Sequence, residues 1–166
     1  ITCVVGGSDS AAKDALVVAE HAKHVYVIYR GEKIPPELPN MERIEEKIKA
    51  GKLTIINNTN IVEVRGKEFV ESVILDKPFK GSKELALQGI FVAIGHVVLS
   101  ELAKNLGVKL NQKGEIILDH KTSETNVPGI YAGGDVADKP FKQAITGVAE
   151  GCTAAYSAFE LISKKK

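Results

Sequence analysis

The 166-residue chain is poor in several things, and each shortage excludes a class of function. Neither sign of charge dominates: 22 Lys and Arg stand against 21 Asp and Glu. That balance gives no long-range field for nucleic acid or an anionic membrane, so neither is expected as a partner. No apolar run approaches the ~20 residues of a membrane span, and no signal peptide is visible. Cysteine is scarce. Cys3 and Cys152 sit at opposite ends and form no CxxC pair and no metal cluster, so no catalytic dithiol and no metal site are assigned. Cys3 lies in an apolar strand and reads as a small buried thiol. So few cysteines suit a reducing cytoplasm. The chain contains no internal repeat and no low-complexity segment. It opens on Ile1 rather than Met, and the expectation is that something upstream was removed or never built.

What is present begins at once. Thr2–Val5 reads as a buried strand, and Asp9–Ala22 as a helix with Ala11, Ala15, Val18, Ala19 and Ala22 at helical spacing. His24–Tyr29 is the next strand, rich in β-branched and aromatic residues. Together they form a βαβ unit of mononucleotide type. Pro35, Pro36 and Pro39 mark a loop. A charged helix follows over Met41–Ala50 with Met41, Ile44 and Ile48 as its apolar stripe, and Gly51 ends it. Thr54–Asn57 is a third strand. Residues 61–64, 70–75 and 84–87 then read as an antiparallel meander crossing one face of the parallel sheet. Gly89–Ile94 returns to a buried parallel strand. Beyond it the pattern gives a short helix (Leu99–Gly107), strands at Glu115–Leu118 and Gly129–Ala132, and a long helix over Phe141–Ser163. Gly147, Gly151 and Ala155 place small residues along one side of that last helix.

The turn Gly6-Gly7-Ser8-Asp9-Ser10-Ala11 answers to G-x-G-x-x-[GA] through Gly6, Ser8 and Ala11. Gly6 allows the tight turn, and Ala11 allows close helix–strand packing. Ser8 stands where a second glycine normally admits pyrophosphate, and its hydroxyl offers a hydrogen bond instead. The helix N-terminus supplies N–H groups and partial positive charge for phosphate. Asp9 is awkward beside a phosphate; the plainer reading is that Asp9 or Ser10 caps the helix. After the second strand, Tyr29-Arg30-Gly31-Glu32-Lys33 is placed to meet an adenosine ribose. There Arg30 and Lys33 favour the 2′-phosphate of NADP and Glu32 the free hydroxyls of NAD. A second nucleotide-type signal, Ile130-Tyr131-Ala132-Gly133-Gly134-Asp135, lies near the other end.

Four sequence words run in order through the chain: residues 4–11 (VVGGSDSA), 89–96 (GIFVAIGH), 125–135 (TNVPGIYAGGD) and 143–151 (QAITGVAEG). On these the chain resembles the thioredoxin reductases, the low-molecular-weight branch of the flavoprotein disulfide reductases. The resemblance implies NADPH, or NADH, at Gly6, Gly7, Ser8, Asp9, Ser10, Ala11, Tyr29 and Arg30. It places Ile94 and Gly95 on the nicotinamide side. It implies FAD in the intact parent, with Gly134 and Asp135 at the ribitol and Gln143, Ala144 and Ile145 at the flavin ring. A helix N-terminus aimed there would stabilise the negative charge of reduced flavin. Two departures stand out. The family's CxxC is absent, and where the family carries paired arginines, Gly31 follows Arg30.

The fold implied is α/β. It is a three-layer nucleotide-binding domain, with a parallel sheet, helices on one face and an antiparallel meander on the other, plus the C-terminal half of a second such domain. Residues 1–97 would form the NAD(P)H domain and 98–166 an incomplete FAD segment. The resemblance further implies thioredoxin or a related small dithiol protein as electron acceptor. The chain alone is expected to hold little FAD and to lack disulfide reductase activity. Because residues 113–166 would expose sheet edge and an apolar helix face, such as Ala154, Ala158 and Leu161, a homodimer or association with the missing segment is expected. The alternatives are a stand-alone NAD(P)-binding module and a ferredoxin–NADP reductase-like flavoenzyme without dithiol.

Overall fold

A computed structural model describes residues 1–35 and 38–164. Pro36 of the expected loop, Glu37, and the C-terminal Lys165 and Lys166 lie outside the described residues. The chain divides into two compact units, Ile1–Gly95 and His96–Lys166.

The first unit is built on a four-stranded parallel sheet: β1 (Thr2–Val5), β2 (Val25–Ile28), β3 (Leu53–Ile56) and β7 (Ile90–Val92), in the order β3-β2-β1-β7. Helices α1 (Asp9–His21) and α2 (Leu38–Lys49) connect β1 to β2 and β2 to β3. The remaining connection is the antiparallel meander β4 (Ile61–Gly66), β5 (Val70–Phe79) and β6 (Ser82–Ala86). It carries the chain from one edge of the sheet to the far side of β1.

Side-chain alternation along the strands separates two cores. Val4, Val25, Val27 and Leu53 pack with Ala11, Ala12, Ala15, Leu16 and Ala19 of α1. Cys3, Ile28 and Ile56 pack with Val73, Leu75 and Leu87 on the meander side. The expected three layers are therefore present. Cys3 is fully buried, and burial pushes its thiol up to about 12, which makes it a packing residue rather than a redox group.

Helix α2 departs from expectation. It begins at Leu38, so the backbone of Pro39 lies in its first turn, where a missing N–H costs nothing. Its inward face is also rotated: Asn40 and Ile44 are buried, whereas Ile48 is 39% exposed. The helix closes as a Schellman turn, with Gly51 at φ +70° and the Lys52 amide returning to the Lys47 carbonyl.

The second unit contains α3 (Glu101–Asn105), the short antiparallel pair β8 (Leu118–Asp119) and β9 (Glu124–Thr125), a 3₁₀ turn at Gly134–Val136, and α4 (Ala144–Ser163). Two strands expected here break up. At 115–118, Ile116 instead makes isolated bridges to Leu110 and Ala137. At 129–132, Gly129 takes φ +84° and the Ile130 amide turns back onto Val127, leaving Tyr131 with a single bridge to Glu124. Helix α4 starts three residues later than its pattern suggests, because Gln143 is extended and acts as the N-cap. No residue of α4 is buried. Ile145, Val148, Tyr156, Phe159 and Ile162 form its exposed apolar face, each more than 60% exposed. Ala154, Ala158 and Leu161, expected on that face, are the half-buried ones, and Ala155 and Gly151 are exposed.

Candidate functional site

A cavity of about 630 Å³ opens at the carboxyl ends of β1, β2 and β7 in the first unit. Strand order reverses direction on the two sides of β1, and such a switch point is where parallel α/β sheets bind ligands. Gly6, Gly7 and Ser8 form one wall, Tyr29 and Arg30 a second, and Ala93, Ile94 and Gly95 a third. The sequence thus placed most of its first-site residues on one cavity. Asp9, Ser10 and Ala11 are not part of its wall.

Gly6 is required by geometry. Its φ is +149°, and a Cβ there would lie 2.2 Å from the Ala93 carbonyl oxygen and 3.1 Å from the Ala11 Cβ. The absent side chain lets β1 pass close to both the end of β7 and the start of α1. Gly7 and Gly31 share a different constraint. A Cβ on Gly7 would fall 2.2 Å from one edge of the Tyr29 ring, and a Cβ on Gly31 2.6 Å from the other. The ring fits between two glycines. An arginine at position 31 would have to displace it, so the second β-strand offers the cavity a single guanidinium, Arg30, which is exposed.

The capping of α1 differs from the sequence reading. Neither Asp9 nor Ser10 caps it. Ser8 does, with extended backbone (φ −88°, ψ 170°) and its hydroxyl accepting the Ala11 amide at 3.4 Å. The hydroxyl is thus already engaged with one of the first-turn amides. The Asp9 carboxylate forms an ion pair with Lys13 and accepts a hydrogen bond from the Asn40 side chain.

Sequence reasoning missed the fourth wall. Pro35, Thr59, Asn60 and Ile61 line it. Thr59 is buried, and its hydroxyl donates to the Asn57 carbonyl at 2.8 Å. The Asn60 backbone and side-chain amides donate to Asp76 at 2.9 and 2.8 Å, which fixes this loop to β5. The only sequence signal was a run of turn-forming residues, Asn57-Asn58-Thr59-Asn60, with no chemistry attached.

In the second unit the candidate residues surround the N-terminus of α4. Gly133 and Gly134 lie against the helix: a Cβ on Gly133 would fall 2.9 Å from the Glu150 Cβ, and one on Gly147 3.1 Å from the Gly134 Cα. The Gly134 amide donates to Glu150 at 2.6 Å, so its N–H is already engaged within the unit. Lys139, only 7% exposed, donates to the same carboxylate oxygen at 2.6 Å and to the Thr146 hydroxyl at 3.1 Å. Lys142 pairs with Glu115 and donates to the Asp135 carbonyl at 2.7 Å. Asp135, Gln143, Ala144 and Ile145 are exposed. At the start of α4 the Thr146 amide already turns back onto the Gln143 carbonyl at 3.1 Å, which leaves the amides of Ala144 and Ile145 for a partner with negative charge.

These contacts have a pH signature. The Asn60 side-chain hydrogen bond holds the Asp76 carboxyl below its ordinary range, and Lys142, then Asn111, does the same for Glu115. Burial pushes the Glu150 carboxyl up, but the bonds from Lys139 and Gly134 outweigh that and hold it low. A carboxyl lowered on folding stabilises the fold above its unfolded value and loses that contribution as pH falls through the folded one. The melting temperature is therefore expected to hold steady down to about pH 5 and drop below about pH 4. A melting temperature that rises on acidification would contradict these assignments.

Among the described residues no cluster of His, Cys, Asp and Glu could hold a metal ion, and no helix is long and apolar enough to cross a membrane.

Comparison with known proteins fits this geometry. The chain is 35% identical over 158 residues to the thioredoxin reductase of Chlamydia pneumoniae, covering 93% of this chain and 49% of that protein. It is 36% identical over 164 residues to the ferredoxin–NADP reductase of Picrophilus torridus, covering 97% and 48%. The crystal structure of Lactococcus lactis thioredoxin reductase superposes with a TM-score of 0.78 at 31% identity, over 98% of this chain and 53% of that one. The chain thus spans about half the length of the relatives it matches. Residues 2–151 match the pyridine nucleotide-disulphide oxidoreductases, and the chain belongs to that family.

Proposed function

We propose that this chain is the pyridine-nucleotide domain, with the C-terminal part of the flavin domain, of a thioredoxin reductase. In such an enzyme NAD(P)H supplies a hydride, FAD accepts it, and a CxxC disulfide passes the electrons to thioredoxin or a related small dithiol protein. The observation that carries the reading is the cavity at the switch point, with Gly6 making room for β1, β7 and α1 to converge.

The residues present fit a dinucleotide. The α1 N-terminus and the Gly6–Ser8 backbone would face the phosphates. Tyr29 and Arg30 would meet the adenosine ribose, with Arg30 as the cation for a 2′-phosphate. Ile94 and Gly95 would border the nicotinamide. In the second unit Asp135 would hydrogen-bond the ribitol, and Gln143, Ala144 and Ile145 would present the α4 N-terminus to the flavin ring. The chain contains no dithiol, so electron transfer to a disulfide needs a segment outside it. The exposed apolar face of α4 supports association with that segment or with a second copy.

Fluorescence titration should show the purified chain binding NADPH or NADH, with FAD held weakly. Light scattering on the same sample should show an assembly. Adding an upstream CxxC-bearing segment in trans should restore flavin binding and thioredoxin reduction. Failure to bind either nicotinamide nucleotide would overturn the reading, and tight FAD binding by the chain alone would overturn its fragment aspect.

A ferredoxin–NADP reductase is the second reading, favoured by the 36% identity to the Picrophilus torridus protein. It predicts that ferredoxin, not thioredoxin, accepts electrons from the completed enzyme.

A further inference from the structure

Asp9 sits in the first turn of α1, directly after Ser8 on the cavity wall. At that position a carboxylate has opposing effects. It stabilises the helix by complementing the N-terminal partial positive charge, and it repels any phosphate drawn to the same charge. Both carboxylate oxygens are engaged away from the cavity. One accepts the side-chain amide of Asn40, and the other pairs with Lys13 one turn along α1. None of these three residues belongs to the cavity wall. Asn40 is 7% exposed and sits on the inward face of α2, where an apolar residue would otherwise pack against α1. A buried amide in that place is explained by a polar group it must meet.

We propose that Asn40 is a positioning residue for the nucleotide site: with Lys13 it holds the Asp9 carboxylate against α1 and α2, keeping its charge off the phosphates at the α1 N-terminus. This rests on the reading that the first-unit cavity binds a dinucleotide diphosphate. The device lets one acidic residue stabilise the helix without opposing the ligand, and Asn40 acts only through Asp9.

A mutant cycle on the full chain tests it. NADH and NADPH affinities are measured for the parent, Asn40→Ala, Asp9→Asn and the double variant, with adenosine as a phosphate-free probe. Asn40→Ala is expected to weaken dinucleotide binding about two- to fivefold, the range one charge at a helix terminus carries, and to leave adenosine unchanged. In the Asp9→Asn background the same substitution should have no effect. Lys13→Ala is the second variant, because Lys13 is on the surface and its loss does not threaten the fold. It should weaken binding more in the parent background than in the Asp9→Asn background. Equal losses in both backgrounds, or a matching loss of adenosine affinity, would overturn the role of Asn40 and leave the nucleotide site standing. No binding of either dinucleotide by the parent would overturn the site itself and the proposal with it.

Discussion

Replacing Gly6 by alanine is expected to cost the first unit about 2–5 kcal/mol, combining backbone strain with overpacking. Two independent terms act at this residue. Its φ of +149° is a conformation that side-chain-bearing residues avoid, and the new methyl would stand 2.2 Å from the Ala93 carbonyl oxygen and 2.9 Å from its carbon. The obstacle is backbone, so no rotamer change relieves it. Ala93 is itself tied to β1 through its amide bond to the Val5 carbonyl at 2.8 Å, which leaves separation of β1 from β7 as the route to relief. A domain of this size is stable by about 5–15 kcal/mol, so the variant should unfold at a much lower urea concentration. Gly95 is the control. Its φ is +97°, but a Cβ there meets nothing within 4 Å, so Gly95→Ala carries the strain term alone. Urea titrations followed by far-UV circular dichroism should separate the two by about 1 kcal/mol or more. Equal midpoints would show that contact with Ala93 contributes nothing. Gly6→Ala should also abolish nucleotide binding where it remains folded, since the strands it pushes apart form two walls of the cavity.

How much of this was legible in the sequence depended on how local each cause was. The turn at Gly6–Ala11, the alanine face of α1 and the strands β1 to β3 follow from short patterns, and they lie where the pattern put them. Asn40 was not legible as an inward residue. An asparagine beside Met41 reads as solvent-facing, and only its partner Asp9, 31 positions away, explains its burial. Thr59 and Asn60 were missed for the same reason: the loop they share is fixed by Asp76 on another strand. The second unit was harder still. Ile116, Ile130 and Tyr131 have strand composition, but strands need neighbours at the right register, and bridges of one residue took their place. The face of α4 was misjudged because its polar stripe, Thr146, Glu150, Thr153 and Ser157, turns to the half-buried side, while its large apolar residues turn outward. Glu150 fixes its orientation by reaching back to Gly134.

That contact gives the second large expected effect. Glu150→Gln should destabilise the second unit by about 2–4 kcal/mol, a reduced share of the roughly 3–5 kcal/mol lost when one member of a fully buried pair is removed. The reduction reflects exposure: Lys139 is 7% exposed and Glu150 21%. A glutamine oxygen in the same place can still accept from the Gly134 amide and from Lys139, so the loss isolates the negative charge that compensates the desolvated Lys139. Replacing both residues, by Lys139→Met with Glu150→Leu, removes the desolvated charge altogether and should recover much of the stability. The turn would respond differently. The double variant leaves the Gly134 amide without its acceptor, and hydrogen exchange there should stay fast although the melting temperature recovers. Stability and the geometry of the 133–135 turn would thereby separate, and if Asp135 holds the flavin ribitol as proposed, flavin retention in the completed enzyme should track the exchange rate rather than the melting temperature. If exchange at Gly134 slows in step with recovered stability, the carboxylate is a packing element and does not set the turn.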